Sequence, residues 1–153
     1  MQFYADACFL IGLFDPNDKH SHEAQPLWRH LIDNRFVEGF NNLTLSYMIL
    51  VEAFQCLQKN IEFNRTLEAF NVLTHQCQCV NVTEDIIQKA ISNKLSPLIN
   101  HRTNKPWIGL TDAISLVIMD QRKIPFILSY DGGYDKIPLT KRIYNVESAL
   151  QIG

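Results

Sequence analysis

Four carboxylates stand where a solvated surface charge is not expected. Asp6 is the one charged residue ahead of Asp15, inside "FYADACFLIGLF". Glu52 is the one charge between Glu38 and Lys59, inside "YMILVEAF". Asp112 lies in "LTDAISLVIM", and Asp131 follows directly on the apolar run "IPFILS" and Tyr130. A carboxylate taken out of water costs several kcal/mol unless it is paired, hydrogen-bonded or bound to a metal. Acids that converge with no matching Arg or Lys also raise one another's pKa values. A cation resolves both problems. Carboxylate oxygens with water suit Mg²⁺ or Mn²⁺, and paired ions of this kind clamp the attacking and leaving oxygens of an in-line displacement, the chemistry of phosphodiester cleavage.

Each acid alone has a structural role open to it. Asp6 could cap a helix after a strand, and Asp112 could simply complement a helix dipole. Asp131 heads "DGG" and could be a turn residue; Glu52 becomes a surface residue if its helix has a different phase. Joint placement is what separates these readings from a metal site, so the elements that position the acids matter.

"QFYA" reads as a short strand leading into a helix that starts after Asp6 and ends near Phe14. "DPNDKHSH" is a loop of turn formers. Ala24, Leu27, Trp28 and Leu31 fall on one face of a helix over about 21–34. "NNLTLS" is extended, and Ser46 caps the next helix. A further helix is expected over about 62–74, and "CQCVNV" alternates like a strand. Thr83, followed by Glu84 and Asp85, caps a helix that Pro97 interrupts or ends. "HRTNKPWIG" reads as a loop and "LTDAISLVIMDQRK" as a helix capped near Thr111. "IPFILS" reads as a buried strand, "YDGGYDKI" as a turn with a short helical piece, and "RIYNV" as a last strand. Strands alternating with helices imply an α/β sandwich around a mostly parallel sheet. In such sheets sites lie beyond the carboxyl ends of the strands, where Asp6, Asp112 and Asp131 would meet.

The bulk properties set limits. At 153 residues the chain is read as one domain, 1–153, with 46% hydrophobic and 20% charged residues. A net charge of −2 removes any global attraction to nucleic acid, so a basic surface has to be local. No Lys or Arg precedes Lys19, which argues against a signal peptide, and no apolar run is long enough to span a membrane; a cytoplasmic protein is expected. Cys8, Cys56, Cys77 and Cys79 form neither a CxxC pair nor a disulfide scaffold. Cys77 and Cys79 with His75 would be three zinc donors lacking a fourth, so buried thiols are expected. His20 and His22 in "DKHSHEA" read as surface loop residues.

Between Asp85 and Asp112 there is no acid, whereas Lys89, Lys94, His101, Arg102 and Lys105 fall there, with Trp107 beside them. Arg102 and Lys105 are candidates for RNA phosphate contacts and Trp107 for base stacking. The alternative is a solvated helix end and loop, with Trp107 in the core.

These segments together resemble the PIN-domain ribonucleases, most closely the small toxins of VapBC toxin–antitoxin systems. "YADACFLIGLFDPNDKHSHEA" resembles the opening motif, with Asp6 as its first acid. "LSYMILVEAF" resembles the helix carrying the second, Glu52. "GLTDAISLVIMDQRKIPFILSYDGGYDKI" resembles the C-terminal signature, with Asp112 and Asp131 as third and fourth acids. The last motif usually reads Thr-x-Asp-x-x-Phe; here Ser129 keeps the hydroxyl and Tyr134 the ring, and little effect is expected. The resemblance implies a three-layer α/β/α PIN-like fold and Mg²⁺- or Mn²⁺-dependent endoribonuclease activity. Asp6, Glu52, Asp112 and Asp131 would be both metal ligands and catalytic residues. Thr111 and Ser129 would hydrogen-bond those carboxylates, with plain helix capping equally open to Thr111. The implied partners are RNA, a small antitoxin and a second copy of the chain in a homodimer. Asp135 could reach a metal through water but reads better as a surface residue, and Asp120 reads as structural. Two alternatives keep the fold: a housekeeping RNA-processing nuclease, and a non-catalytic protein-binding domain. A phosphatase of the haloacid dehalogenase type needs a second Asp where Cys8 stands.

Overall fold

The computed structural model describes residues 1–152. Strand β1 (Phe3–Ala5) runs into helix α1 (Ala7–Phe14), and Asp6 caps the helix by accepting from the Ala7 N–H. Helix α2 (Ser21–Asp33) buries Ala24, Leu27, Trp28 and Leu31, the predicted face. Strand β2 (Leu43–Ser46) feeds α3 (Tyr47–Asn60) through Ser46, whose Oγ accepts from the Ile49 N–H. Helix α4 (Phe63–Gln76) outlasts its predicted end near Thr74 before β3 (Gln78–Val80). Thr83 caps α5 (Glu84–Lys89), which continues as a π turn over Ala90–Leu95 and a 3₁₀ turn over Ser96–Leu98 that contains Pro97.

The expected loop "HRTNKPWIG" is instead built around a two-stranded hairpin, β4 (Ile99–Asn100) against β5 (Lys105–Pro106). Its strands are too short to carry a period. Asn100 Oδ1 accepts from the Arg102 N–H, and Asn104 takes the left-handed conformation that Asn tolerates well. Helix α6 (Leu110–Arg122) is capped at Gly109, not at Thr111. Asp112, three residues on, accepts from the Gly109 N–H at 3.0 Å and satisfies that otherwise orphaned donor. Strand β6 (Phe126–Leu128), a 3₁₀ turn (Gly132–Lys136), β7 (Lys141–Ile143) and α7 (Val146–Ala149) complete the described residues.

Five of the strands form one parallel sheet in the order β3-β2-β1-β6-β7. β1 and β2 are wholly buried and β6 nearly so, as expected for a parallel sheet covered on both faces. Helix α6 buries seven consecutive residues, Ala113–Met119, because α5 and the π turn cover its outer side. The order places a reversal between β1 and β6: the chain builds outward from β1 through β2 to β3, then returns to the other side of β1. A crevice opens at such a point, beyond the carboxyl ends of the two strands. The backbone closes it below: the Asp6 N–H donates to the Leu128 carbonyl at 3.0 Å.

Gly12 sets how closely the segment after α1 returns to that crevice. A Cβ there would lie 3.1 Å from Ala24 Cβ and 3.2 Å from the His20 carbonyl carbon. Gly12→Val is therefore expected to lower stability by about 1–3 kcal/mol, the cost of forcing atoms into a filled interface, as read by urea unfolding.

Candidate active site

Asp6, Glu52, Asp112 and Asp131 line one cavity of about 560 Å³. Asp6 is 8% exposed and accepts three hydrogen bonds. Its Oδ1 accepts from the Ala7 N–H at 2.9 Å, and its Oδ2 from Ser129 Oγ at 2.8 Å and Cys8 Sγ at 3.3 Å. Ser129 in turn accepts from the Asp131 N–H at 3.1 Å, so one hydroxyl ties the end of β6 to the end of β1 and sets where Asp131 begins. Asp131 Oδ1 accepts from the Gly133 N–H at 2.7 Å, and a Cβ at Gly133 would lie 3.1 Å from that oxygen. Asp112 is held at both oxygens, by the Gly109 N–H and by the Tyr134 hydroxyl at 3.0 Å. Glu52, on the exposed side of α3, makes no hydrogen bond among the described residues.

The structure brings some of the other predicted residues here and leaves others out. Ser129 bonds to Asp6, as expected. Thr111 lines the cavity, but its hydroxyl bonds to none of the carboxylates; its carbonyl accepts from Ser115 Oγ. Arg102, Lys105 and Trp107 lie on and after the β4–β5 hairpin and do not line the cavity. The Trp107 ring is covered at 3.5 Å by the Lys136 ammonium. Asp135 faces Arg142, which donates from Nε at 2.8 Å and Nη2 at 2.6 Å, and Asp120 pairs with Lys94. His75 Nδ1 bonds to the Asn71 carbonyl, and Cys77 is buried with Cys79 half-buried.

Several cavity residues carry no mark in the sequence. His20, expected on an open loop, lines the cavity with Asp18 and Lys19 and stacks on Tyr130, ring centroids 4.0 Å apart and planes within 4°. Cys8 also lines it; burial and the Asp6 charge push its pKa up to about 12, which keeps the thiol a donor to Asp6. Tyr134 differs from expectation most. Its ring is fully buried, and its hydroxyl, absent from the Phe usual in the resembling motif, orients Asp112. Burial and the Asp6 and Asp112 charges hold its pKa well above the ordinary phenol value, so it stays a donor. The serine at 129 is legible as a hydroxyl in a motif. The Tyr134 contact spans two elements and leaves no local signal.

The electrostatics are those of unneutralised acids. The ion pairs of Lys and Arg among the described residues are Lys89–Asp85, Lys94–Asp120 and Arg142–Asp135, and the His20 ring lies 3.7 Å from Glu23; none includes a cavity acid of the four. Burial raises the Glu52 pKa, and the Asp6 and Asp112 charges add to it. Burial likewise raises Asp112, with Asp6 and Asp131 adding and the two donated hydrogen bonds opposing. An all-oxygen, net-negative donor set fits a hard divalent cation. Among the described residues no three Asp, Glu, His or Cys side chains are gathered as a ready cage.

No protein-family model matches the sequence, and no curated protein does. Solved structures do match. A sarcin–ricin-loop-cleaving VapC20 toxin from Mycobacterium tuberculosis superposes with a TM-score of 0.64 at 20% identity, covering 86% of this chain and 91% of that one. A toxin–antitoxin complex from Klebsiella pneumoniae gives 0.62 at 15% identity, covering 91% and 95%. VapBC2 from Rickettsia felis, bound to a DNA fragment from its promoter, gives 0.62 at 10% identity, covering 94% and 98%. The chain has the three-layer PIN-like α/β/α fold of these toxins.

Two variants probe the site without any substrate. Groups whose pKa values are raised on folding bind protons more readily in the native state, so their contribution favours folding at low pH and is lost as pH rises through the folded value. Glu52→Gln removes one such charge and no hydrogen bond. It is expected to raise the metal-free Tm at neutral pH by about 1–2 °C, equivalent to roughly 0.5 kcal/mol for a half-exposed group, with the gain vanishing on acidification into the ordinary carboxylate range. Tyr134→Phe leaves a half-buried carboxylate oxygen without its donor and is expected to cost about 1–3 kcal/mol in chemical unfolding.

Proposed function

We propose that this PIN-fold chain is a Mg²⁺- or Mn²⁺-dependent endoribonuclease and the toxin of a toxin–antitoxin pair. One observation carries the reading: four carboxylates without a cationic partner line one crevice at the point where the strand order reverses. Such a cluster costs stability, and its ordinary purpose is to hold a divalent ion against a phosphodiester. The fold it shares with VapC toxins, one of them described as cleaving the sarcin–ricin loop, supports RNA as substrate.

Asp6, Glu52, Asp112 and Asp131 would hold the ion or ions. Such an ion would supply a water of lowered pKa and positive charge beside the phosphate oxygens on which negative charge develops. The chain's own contribution is geometric. The Ala7 N–H, Ser129 and Cys8 fix Asp6; Gly109 and Tyr134 fix both oxygens of Asp112; Gly133 fixes one of Asp131. Glu52 alone is free to adjust, so it serves as the acid that accommodates the ion and its waters as substrate enters.

A protein partner fits the surface beside the site. A groove lined by Tyr47, Met48, Val51 and Val82 adjoins the cavity and shares Glu52 and Thr111 with it. Tyr47 and Val51 are 44% and 53% exposed, an apolar stretch of the sort that marks interaction sites. Two of the similar structures are toxin–antitoxin assemblies, which supports a small antitoxin here. A homodimer and a cytoplasmic setting belong to the same reading; no helix among the described residues is long and apolar enough to cross a membrane.

The purified chain, free of partner, is expected to cleave labelled structured RNA with Mg²⁺ or Mn²⁺ and to stop with chelator. Asp112→Asn should lower the rate by more than about a hundredfold, beyond the ~10–100-fold typical of losing an outer hydrogen-bond partner, which is the range expected for Ser129→Ala. Cleavage that persists through both chelator and Asp112→Asn overturns the metal reading. No cleavage of any RNA by folded, metal-binding protein favours a non-catalytic binding domain.

A further inference from the structure

The cavity presents a problem for a polyanionic substrate. Five acids line it, Asp6, Asp18, Glu52, Asp112 and Asp131, and among the described residues a single Lys or Arg, Lys19, does so. Lys19 is exposed and has no ion-pair partner among the described residues, whereas Lys89, Lys94 and Arg142 are each paired with an Asp. Beside Lys19, the His20 ring lies flat on Tyr130, and both residues line the same cavity.

The segment carrying Lys19 and His20 is held, not loose. Asp15 is 3% exposed, and its Oδ1 accepts from the Asn17 N–H at 2.9 Å. Asp18 Oδ1 accepts from the His20 N–H at 2.9 Å, and Ser21 Oγ donates to the Pro16 carbonyl at 2.9 Å. Gly12 lets the backbone at His20 lie against α1, and the stack on Tyr130 ties the segment to the end of β6. The backbone that carries Lys19 and the flat ring pair beside it are thus fixed on the rim of an acidic cavity before any ligand arrives, which reduces the ordering cost of binding.

We propose that this rim, Lys19 with the His20–Tyr130 stack, is where single-stranded RNA is gripped beside the site. Lys19 takes a backbone phosphate, and the ring pair is a platform for a neighbouring base. The inference rests on the nuclease reading above and deepens it. A phosphate contact by one cation offsets part of the repulsion from the acids and leaves a mark in the salt dependence of binding, about 0.7 of log-slope per contact for a single strand. Stacking on an aromatic surface tolerates any base, because every base has a π-face. Arg102, Lys105 and Trp107, the other candidates for RNA contact, do not line the cavity, and Trp107 is 46% exposed with Lys136 over its ring.

The test is fluorescence anisotropy of a fluorescein-labelled, mixed-sequence single-stranded RNA titrated with the full chain. Ca²⁺ replaces Mg²⁺ to suppress cleavage, and the titration is repeated over a salt series. Lys19→Gln is expected to weaken binding about three- to tenfold and to lower the salt slope by about 0.7, with Lys19→Arg restoring both. His20→Ala is expected to weaken binding about fivefold or more with the slope unchanged, the signature of lost stacking. Thermal unfolding checks that each variant is folded. If wild type binds but Lys19→Gln and His20→Ala bind equally well, the rim proposal is overturned while the nuclease reading stands. The rim proposal is overturned in the same way if only Arg102→Gln with Lys105→Gln weakens binding. If wild type neither binds nor cleaves RNA, the nuclease reading fails and this inference fails with it.

Discussion

A carboxylate can sit at the end of β1 because a hydroxyl at the end of β6 reaches it. The Ser129–Asp6 hydrogen bond, at 2.8 Å, joins the two strands on either side of the reversal in strand order. With the Ala7 N–H and the Cys8 thiol it replaces the water that Asp6 loses on burial. Hydrogen bonds to a charged acceptor contribute about 1.5–3 kcal/mol each, enough together to offset a cost of several kcal/mol. The same serine accepts from the Asp131 backbone, so the position of the fourth acid follows from how the first is satisfied. If that link were lost, both the buried charge and the register of the turn that follows β6 would change together.

What remains unsatisfied is the charge itself. Hydrogen bonds orient Asp6, Asp112 and Asp131 but bring no positive charge, and the raised pKa values of Glu52 and Asp112 record burial together with mutual repulsion. Asp135 offers the contrast within the same segment. Its pKa is lowered because Arg142 pairs with it, and it lies outside the cavity. One stretch, from Asp131 to Asp135, therefore carries an acid kept unpaired and an acid that is neutralised. The local sequence around both is similar; the difference comes from β7, which delivers Arg142 to one and not the other. Stability is given up at the crevice, a pattern common to sites that act on ligands.

The rim of the cavity follows a different logic. Its residues come from a surface connection whose composition, rich in Asp, Asn and Pro, marks it as a turn. Side-chain to backbone bonds hold that turn rigid, and the absence of a Cβ at Gly12 lets it approach α1. A loop of this kind can present Lys19 and His20 at a fixed distance from acids on α1, α3 and α6. The hairpin between the π turn and α6 is equally polar, yet it carries its cations away from the cavity.

The alternation of strands and helices, the buried face of α2 and the anomaly of Asp6 in apolar surroundings are legible along the chain, whereas Glu52 and Asp131, expected away from solvent, are exposed. Each is a local property: hydrophobic period, capping residues such as Ser46 and Thr83, and breakers such as Pro97 act over a few residues. The cap of α6 lies two positions ahead of the expected one. Thr111 is the better cap in isolation, and Asp112 reaching back to Gly109 decides otherwise. The hairpin β4–β5 has no signature because two-residue strands carry no period. Tertiary packing alone makes Tyr134 orient Asp112, stacks His20 on Tyr130, and turns Lys19 rather than Arg102 or Lys105 toward the acids. Each of these contacts joins residues from separate elements. Residue 20 and residue 130 meet because the strand order brings the ends of β1 and β6 side by side, and no spacing along the chain encodes that distance.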